Sequence, residues 1–380
     1  MSVCCVKCFQ DNFIRNKIFG YKTRGDCSYC GNKSQSVIPV YELTSDFEVF
    51  FNIYDRSQKG GHWESYIPSN AIFGIDDVED IIFSDLKPLH QHIQNDWSVF
   101  SGILPEGIRI QLLSDIYSFS KITTDWNLGV KCSSVTTIEC ARFYDNIITD
   151  DDKRSLWGIF CKEIKTQNRF ILRSTPIKEI IDLLDTKRVK LNVGEHFFRA
   201  RVGFDVDNNK NPISYPKEKL GMAPAKLVSD GRANPRGISY LYTASDIDTA
   251  ISEVRPWKSA LVSVATFKLN KELEIVDLTL SEIESPFQTV DLRDAIQLQQ
   301  LLEAISMEFS KPVGPSDSGI DYLPTQYIAE LIKSNRFAGF KFKSSIANGN
   351  NYVFFGNEAL EIIETSLHRV NEIQISQSPV

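Results

Sequence analysis

Two cysteine pairs stand at the head of the chain: Cys5-x2-Cys8 and, after eighteen intervening residues, Cys27-x2-Cys30 followed by Gly31. A two-residue spacer lets a tight knuckle aim two thiolates at one ion, and two such knuckles complete a tetrahedral four-sulfur set for zinc. Four thiolates leave no open coordination position, so the expected metal is structural and not catalytic. Cys4 competes with Cys5 for a place, but Cys4 to Cys8 breaks the two-residue spacing. The expected ligands are therefore Cys5, Cys8, Cys27 and Cys30. The three cysteines farther along, Cys132, Cys140 and Cys161, are scattered and read as packing thiols.

A second group of reactive side chains lies in the other half. Gly231-Arg232-Ala233-Asn234-Pro235-Arg236-Gly237 sets two guanidiniums on a loop shaped by Gly and Pro. Planar guanidinium forks suit a bidentate grip on phosphate oxygens. The loop runs into a strand that presents Tyr240 and Tyr242 on one face by the period of two, an aromatic wall for a flat ring. Ser245, with Asp248 three residues on, is placed to cap the following helix, and that helix carries Glu253. Upstream, Arg199 and Arg201 share one strand face, which suits an anion pocket. Taken alone, Glu253 reads as a solvated helix carboxylate beside Arg255, Tyr242 as a core aromatic and Arg232 as a loop charge.

Other chemistries are absent. No two glycines are spaced as G-x-G, there is no G-x4-G-K-[ST], and the five histidines form neither H-E-x-x-H nor an evident triad. Arg56 and His62, separated by five residues, match a ribonuclease-like spacing, yet Gly60-Gly61 between them argues for a loop where that chemistry uses a helix.

The ordered segments of the second half resemble the RES-domain family, named for its Arg, Glu and Ser. The likeness runs through His196-Phe197-Phe198-Arg199-Ala200-Arg201, the Gly231 to Gly237 loop, Tyr242-Thr243-Ala244-Ser245 and Thr249-Ala250-Ile251-Ser252-Glu253. It resumes at Leu323-Pro324-Thr325-Gln326-Tyr327-Ile328-Ala329-Glu330 and at Phe337-Ala338-Gly339-Phe340-Lys341-Phe342-Lys343-Ser344-Ser345, so it covers about the last 190 residues. The N-terminal knuckles look like the HEPN/RES N-terminal domain fused ahead of some members. The resemblance implies an ADP-ribosyltransferase-like fold that consumes NAD as substrate. The reaction would be hydrolysis or phosphorolysis of the nicotinamide-ribose bond, and the protein a bacterial toxin or defence effector. Carried over by position, the family's essential residues are Arg232, Tyr242, Glu253 and Ser344. Arg199, Arg201 and Arg236 become second grips on the pyrophosphate, and Asn234, Tyr240 and Ser345 complete the expected substrate-binding set. The family also implies pairing with an antitoxin or immunity protein, of Xre type. Transfer of ADP-ribose to a macromolecule, and a non-enzymatic zinc-ribbon binding protein, are the competing functions.

These residues need elements to hold them. The first 43 residues read as the zinc knuckle, with Phe13, Ile14 and Ile18 on a short helix over the cluster. Residues 44–188 read as mostly helical. Phe47, Phe50, Phe51 and Tyr54 recur at helical spacing, and further helices are expected over 78–86, 89–100, 107–119, 136–148 and 176–184. From 189 to 380 short β-like runs at 197–202, 240–243, 260–267, 273–278, 339–342 and 352–355 alternate with helices at 246–254, 291–309 and 321–335. The expected class is α+β, with a mixed α/β catalytic domain last.

At 380 residues the chain is long enough for two cores, and its formal charge of −7 argues against a general binder of nucleic acid or anionic membrane. No run approaches the ~20 apolar residues of a membrane span, and the N-terminus lacks a signal pattern, so a cytoplasmic location is expected. A homo-oligomer is compatible with the sequence.

Overall fold

A computed structural model of the chain describes residues 2–56, 87–120, 136, 139–142, 156–173, 177–279, 283–289, 291–311 and 319–373. The chain divides into two compact units. One is built from residues 1–151 and 282–297, the other from 152–281 and 298–380.

The first unit begins with three strands, Val3–Cys5 (β1), Thr23–Gly25 (β2) and Gln35–Pro39 (β3), in the order β1-β3-β2. Because both outer strands are antiparallel to β3, Cys5 opposite Val37 and Gly25 opposite Gln35 lie near one another, and the two knuckles leave the sheet together. The expected helix is present as Asn12–Gly20. Its N-cap Asp11 accepts the Ile14 amide at 2.9 Å, and it buries Ile14 and Ile18.

The core of this unit centres on Phe47, which packs on Phe50 (5.9 Å between centroids) and Phe287 (5.1 Å). Leu292 and Ile296 are buried in the same core. That is why residues 282–297 count with the first unit although the whole of 152–281 parts them from it in sequence: their apolar side chains fill its interior. The knuckle cysteines also belong to this core, so residues 1–43 are not a separate module as expected.

Helices form at Leu89–Trp97 and Glu106–Tyr117, close to expectation. The expected helix over 47–54 is a single turn, Thr44–Phe47, followed by a 3-10 segment, Glu48–Asn52. Within the expected helix 136–148 the chain instead makes a strand, Glu139–Arg142 (β6), between Tyr54–Arg56 (β4) and Lys87–Pro88 (β5). A window this short carries both periodicities, and pairing on two sides decides for strand. Asp96, on the helix Leu89–Trp97, anchors β6. It accepts Arg142 Nε at 2.7 Å and the Tyr54 hydroxyl at 2.9 Å. Burial would raise this carboxyl, but its bonds to Arg142, His92 and Tyr54 outweigh burial and hold it at about 2. The expected helix over 78–86 and the pairing of Arg56 with His62 lie outside the described residues.

The second unit is one sheet of eight strands with helices against it. Its strands are Arg188–Leu191 (β7), His196–Val202 (β8), Leu241–Ala244 (β11), Leu261–Leu269 (β12), Leu273–Asp277 (β13), Gly339–Lys343 (β14), Asn350–Phe354 (β15) and Leu360–Arg369 (β16). A small hairpin, Asp205–Val206 (β9) and Pro212–Ile213 (β10), stands apart. The order is β16-β12-β8-β11-β15-β14-β13-β7, and among these pairs only β13 and β14 run parallel. Successive residues enter opposite layers. Val276 and Val353 join helices Leu156–Thr166, Ile177–Thr186, Leu292–Ser310 and Leu323–Ser334, whereas Ile275 and Phe354 join Phe197, Leu241 and Phe267 on the other face. The first two of these helices lie before residue 189, so the division falls at 152 and not at the expected 188.

One seam in this sheet matters most. β8 pairs with β12 over seven residues, but β8 meets β11 at a single pair, Phe198 opposite Ala244. The sheet therefore parts into two halves along β8 and β11.

Candidate functional site

A cavity of about 580 Å³ opens where β8 and β11 diverge. Phe198 and Arg199 line it from one strand, Tyr242 and Thr243 from the other. Arg199 spans the seam: its Nη1 donates to the Tyr242 carbonyl at 3.2 Å, a group that a continuous sheet would have paired with β8. Burial pulls the Arg199 guanidinium down from its ordinary value, and no carboxylate pairs with it among the described residues. Four lining residues are cationic (Arg199, Arg232, Arg255, Lys311) and two acidic (Asp230, Glu253), a formal surplus of two positive charges. An anionic ligand suits that balance.

The arginine loop is tied from within and from behind. Asn234 is buried; its Nδ2 donates to the Ser229 carbonyl at 3.0 Å and its Oδ1 accepts the Tyr242 hydroxyl at 2.6 Å. Burial pushes the Tyr242 phenol above its ordinary range. From the helix Leu323–Ser334, Gln326 Nε2 donates to the carbonyls of Gly231 (2.9 Å) and Asn234 (3.1 Å). Glycine is required at 231, because a Cβ there would stand 2.6 Å from Asn234 Oδ1. Arg232 lines the cavity; its Nη1 donates to the Glu308 carbonyl at 3.2 Å, and its guanidinium lies 5.4 Å from the Tyr322 ring centroid.

Glu253 ends the helix Ile247–Glu253 at the cavity. The helix is capped by Asp246, whose carboxylate accepts the Thr249 amide at 2.7 Å, and not by Ser245 as expected. Ser245 serves a different purpose: its hydroxyl accepts the Asn350 amide at 3.0 Å and holds the chain leaving the serine loop. Glycine at 349 permits this, since a Cβ would meet Asp246 Oδ2 at 2.2 Å and Ser245 Oγ at 2.5 Å. Ser344, buried beneath that loop, donates to Glu253 Oε1 at 2.7 Å and accepts the Ala347 amide at 3.1 Å. Asn351 Nδ2 donates to the same Oε1 at 2.6 Å.

Of the expected site residues, Arg199, Arg232, Asn234, Tyr242, Glu253 and Ser345 line this one cavity, and Ser344 touches Glu253 from just behind its wall. Three do not gather there. Arg201 lies over the Tyr215 ring, 5.3 Å from its centroid, and donates to the Lys219 carbonyl. Arg236 borders a separate depression with Lys226. Tyr240 is buried against Phe355, 4.9 Å between centroids, so of the expected tyrosine pair only Tyr242 lines the cavity, together with Phe198, Phe309 and Phe342. Tyr240 shares the helix-covered layer with Tyr242, but it precedes strand β11 and packs with Phe355 and Lys333 instead of at the cavity. Sequence reasoning passed over Gln326, Asn351 and Thr243. Thr243 is buried in the cavity wall and its Oγ1 has no hydrogen-bond partner among the described residues. Gln326 and Thr243 stood in segments quoted above for their likeness, the one available signal.

In the first unit the sulfurs of Cys5, Cys8, Cys27 and Cys30 all lie within 4.8 Å of one another. Cys5 to Cys8 is 3.9 Å, Cys5 to Cys30 3.4 Å and Cys8 to Cys27 3.5 Å. A zinc ion with bonds of about 2.3 Å to a tetrahedron of sulfurs needs edges of roughly 3.8 Å, so the four thiols are compatible with zinc. Asn32 Nδ2 donates to Cys30 Sγ at 3.0 Å, the kind of outer contact that orients a ligand. Alternation along β1 turns Cys4 to the other face, where its sulfur meets the Ile38 carbonyl at 3.7 Å.

A family model, RES domain, matches residues 198–372. No curated protein matches the chain. Among solved structures the chain is similar to one in the crystal structure of the M. tuberculosis MbcT-MbcA toxin-antitoxin complex, at 13% identity and a TM-score of 0.30, over 50% of this chain and 92% of that one. Every residue lining the large cavity falls between 198 and 372, and this part of the chain is a RES domain.

Proposed function

We propose that the RES domain cleaves the nicotinamide-ribose bond of NAD, and that the protein acts as a toxin or defence effector through the loss of that nucleotide. The observation that carries the reading is the lining of one cavity by Arg199, Arg232, Tyr242 and Glu253, cations and a carboxylate at a seam in the sheet. The match to the RES family supports the same reading.

In the proposed step the bond from C1′ of the ribose to the pyridinium nitrogen breaks, and its electron pair leaves with neutral nicotinamide. Positive charge grows on the ribose, as in glycoside hydrolysis. The Glu253 carboxylate stabilises charge that exists only in the transition state. Water or phosphate then bonds to C1′. Water releases a proton and yields ADP-ribose; phosphate yields ADP-ribose 1″-phosphate. Arg232, with Arg199 beside it, grips the pyrophosphate, and Tyr242 packs against the nicotinamide-ribose end. Ser344 acts on Glu253. The proposed setting is the cytoplasm, with an antitoxin or immunity protein, of Xre type by resemblance, as the restraint. The four-cysteine site would hold structural zinc.

The test is mass spectrometry of NAD incubated with the purified full chain, with and without phosphate, beside NAD levels in cells expressing it. Wild type is expected to consume NAD and Glu253→Gln to lose at least ~100-fold in rate. NAD left intact by wild type, or consumed equally by Glu253→Gln, overturns the reading. A macromolecule carrying ADP-ribose, with no free product, replaces it with transfer.

A further inference from the structure

Glu253 is exposed and sits on the last residue of its helix, where nothing in the helix itself orders the side chain. Its orientation comes from elsewhere. Ser344 Oγ and Asn351 Nδ2 both donate to Oε1, at 2.7 and 2.6 Å, and Oε2 accepts no hydrogen bond among the described residues. The two donors arrive from different supports. Ser344 is fixed by the loop, through the amides of Ile346 and Ala347. Asn351 is fixed by the sheet.

That second support is stiff. Strand β15 pairs on both sides, with Asn351 opposite Ala244 on β11 and Phe342 on β14. Alternation sends Asn351 and Val353 to the cavity while Tyr352 packs on Phe197 in the opposite layer, 4.9 Å between centroids. One donor on Oε1 would leave the carboxylate free to swing about that contact. Two donors on one oxygen restrain its plane and leave the other oxygen for the ligand.

We propose that Asn351 is a positioning residue: together with Ser344 it holds Glu253 by Oε1 and presents Oε2 to the ribose of the bound nucleotide. The inference rests on the proposed role of Glu253. Its consequence is specific to the transition state, because a swinging carboxylate still permits binding but misses the growing charge.

The experiment is steady-state kinetics of NAD consumption by the full chain for Asn351→Leu, which keeps the γ-branched shape and cannot donate, and Asn351→Gln, which keeps the amide. Asn351→Leu is expected to lower kcat by ~10- to 100-fold, the loss expected for one hydrogen bond to a charged group, with KM within about threefold. Asn351→Gln is expected to recover part of that loss. Calorimetric binding of NAD to Asn351→Leu guards against a folding defect, since a collapsed cavity would lose binding as well. The decisive readout is a double-mutant cycle with Glu253→Asp, whose carboxylate is retracted by one methylene. If Asn351 acts through Glu253, Asn351→Leu costs little more in that background. A full multiplicative loss there, a wild-type kcat in Asn351→Leu, or loss of NAD binding overturns the positioning role while Glu253→Gln still reports on the reaction. Wild-type activity in Glu253→Gln, or an inert wild type, overturns both.

Discussion

Asn234 should govern how rigidly the arginine loop is held, and the effect can be sized from its contacts. Its side chain donates to the carbonyls of Ser229 and Pro235 and accepts the Tyr242 hydroxyl, with the residue itself buried. Asn234→Ala removes two neutral hydrogen bonds, each worth about 1 kcal/mol net, and leaves a largely buried phenol without its acceptor at a cost of about 1–3 kcal/mol. Together these lower the local opening free energy by about 3–5 kcal/mol, which is at least ~100-fold in an opening equilibrium at 1.4 kcal/mol per decade. The assay is amide hydrogen exchange of the full chain. The reporters are the amides of Gly231, bonded to the Asn234 carbonyl, Arg236, bonded to Asp230 Oδ1, and Gly237, bonded to the Val228 carbonyl. They should exchange at least ~100-fold faster in Asn234→Ala, and Val264 and Ala265 on doubly paired β12 should keep their rates. Tyr242→Phe, which leaves only Asn234 Oδ1 without a donor, should accelerate the loop by about tenfold. The double variant should exchange more slowly than Asn234→Ala alone, by about tenfold, because the orphaned hydroxyl and its cost are gone. Exchange within twofold of wild type in Asn234→Ala, or fully multiplicative effects in the double variant, would refute the reasoning.

Other expectations follow from the same contacts. Asp96 titrates at about 2 in the folded chain, below its ordinary 3.8, so its stabilisation is full above roughly pH 4 and is lost as pH falls through 2. About 2 kcal/mol of acid sensitivity in the first unit should vanish in Asp96→Asn; acid titration of circular dichroism with an unchanged midpoint would count against this. Wild type should release one zinc per chain to a chelator after unfolding. Metal analysis should find it retained in Cys4→Ser, whose sulfur faces the Ile38 carbonyl, and lost in Cys27→Ser. Arg199→Ala should raise KM for NAD at least ~10-fold, while Arg201→Ala, outside the cavity, should leave it within about twofold; equal effects would remove the distinction drawn from their placement.

Legibility in the sequence tracked how local each feature is. Strand β12 was visible because its apolar run reflects two covered faces, and β8 and β13 because each is a short run of aromatic or β-branched residues. Strand β16 was not: it lies at the sheet edge, is buried mainly at Leu360, and mixes Glu361, Glu364 and Ser366 into a run without clean alternation. Strand β6 looked helical because pairing partners 50 and more residues away settled its form. At the site, the arginine loop and the helix bearing Glu253 could be read from spacing. Arg201 and Tyr240 share a strand face with Arg199 and Tyr242, as the period of two requires, but the Tyr215 ring holds the one and Phe355 buries the other away from the cavity.

What the order of residues decided is the chemistry available within a turn or two: the thiolate pairs, the guanidinium loop, the capped helix with its terminal carboxylate. Those depend on spacers of a few residues, whose geometry is nearly the same in any fold. Folding decided which groups meet. Asn351 reaches Glu253 across 98 residues and Gln326 reaches Gly231 across 95. Phe287, Leu292 and Ile296 leave the middle of the segment that matches the RES domain to fill the core of the first unit. The opening of the sheet between β8 and β11, which makes the cavity, has no local signature either. Each of these is a pairing chosen by burial and hydrogen bonding among distant segments, and that choice exists only once the chain has closed on itself.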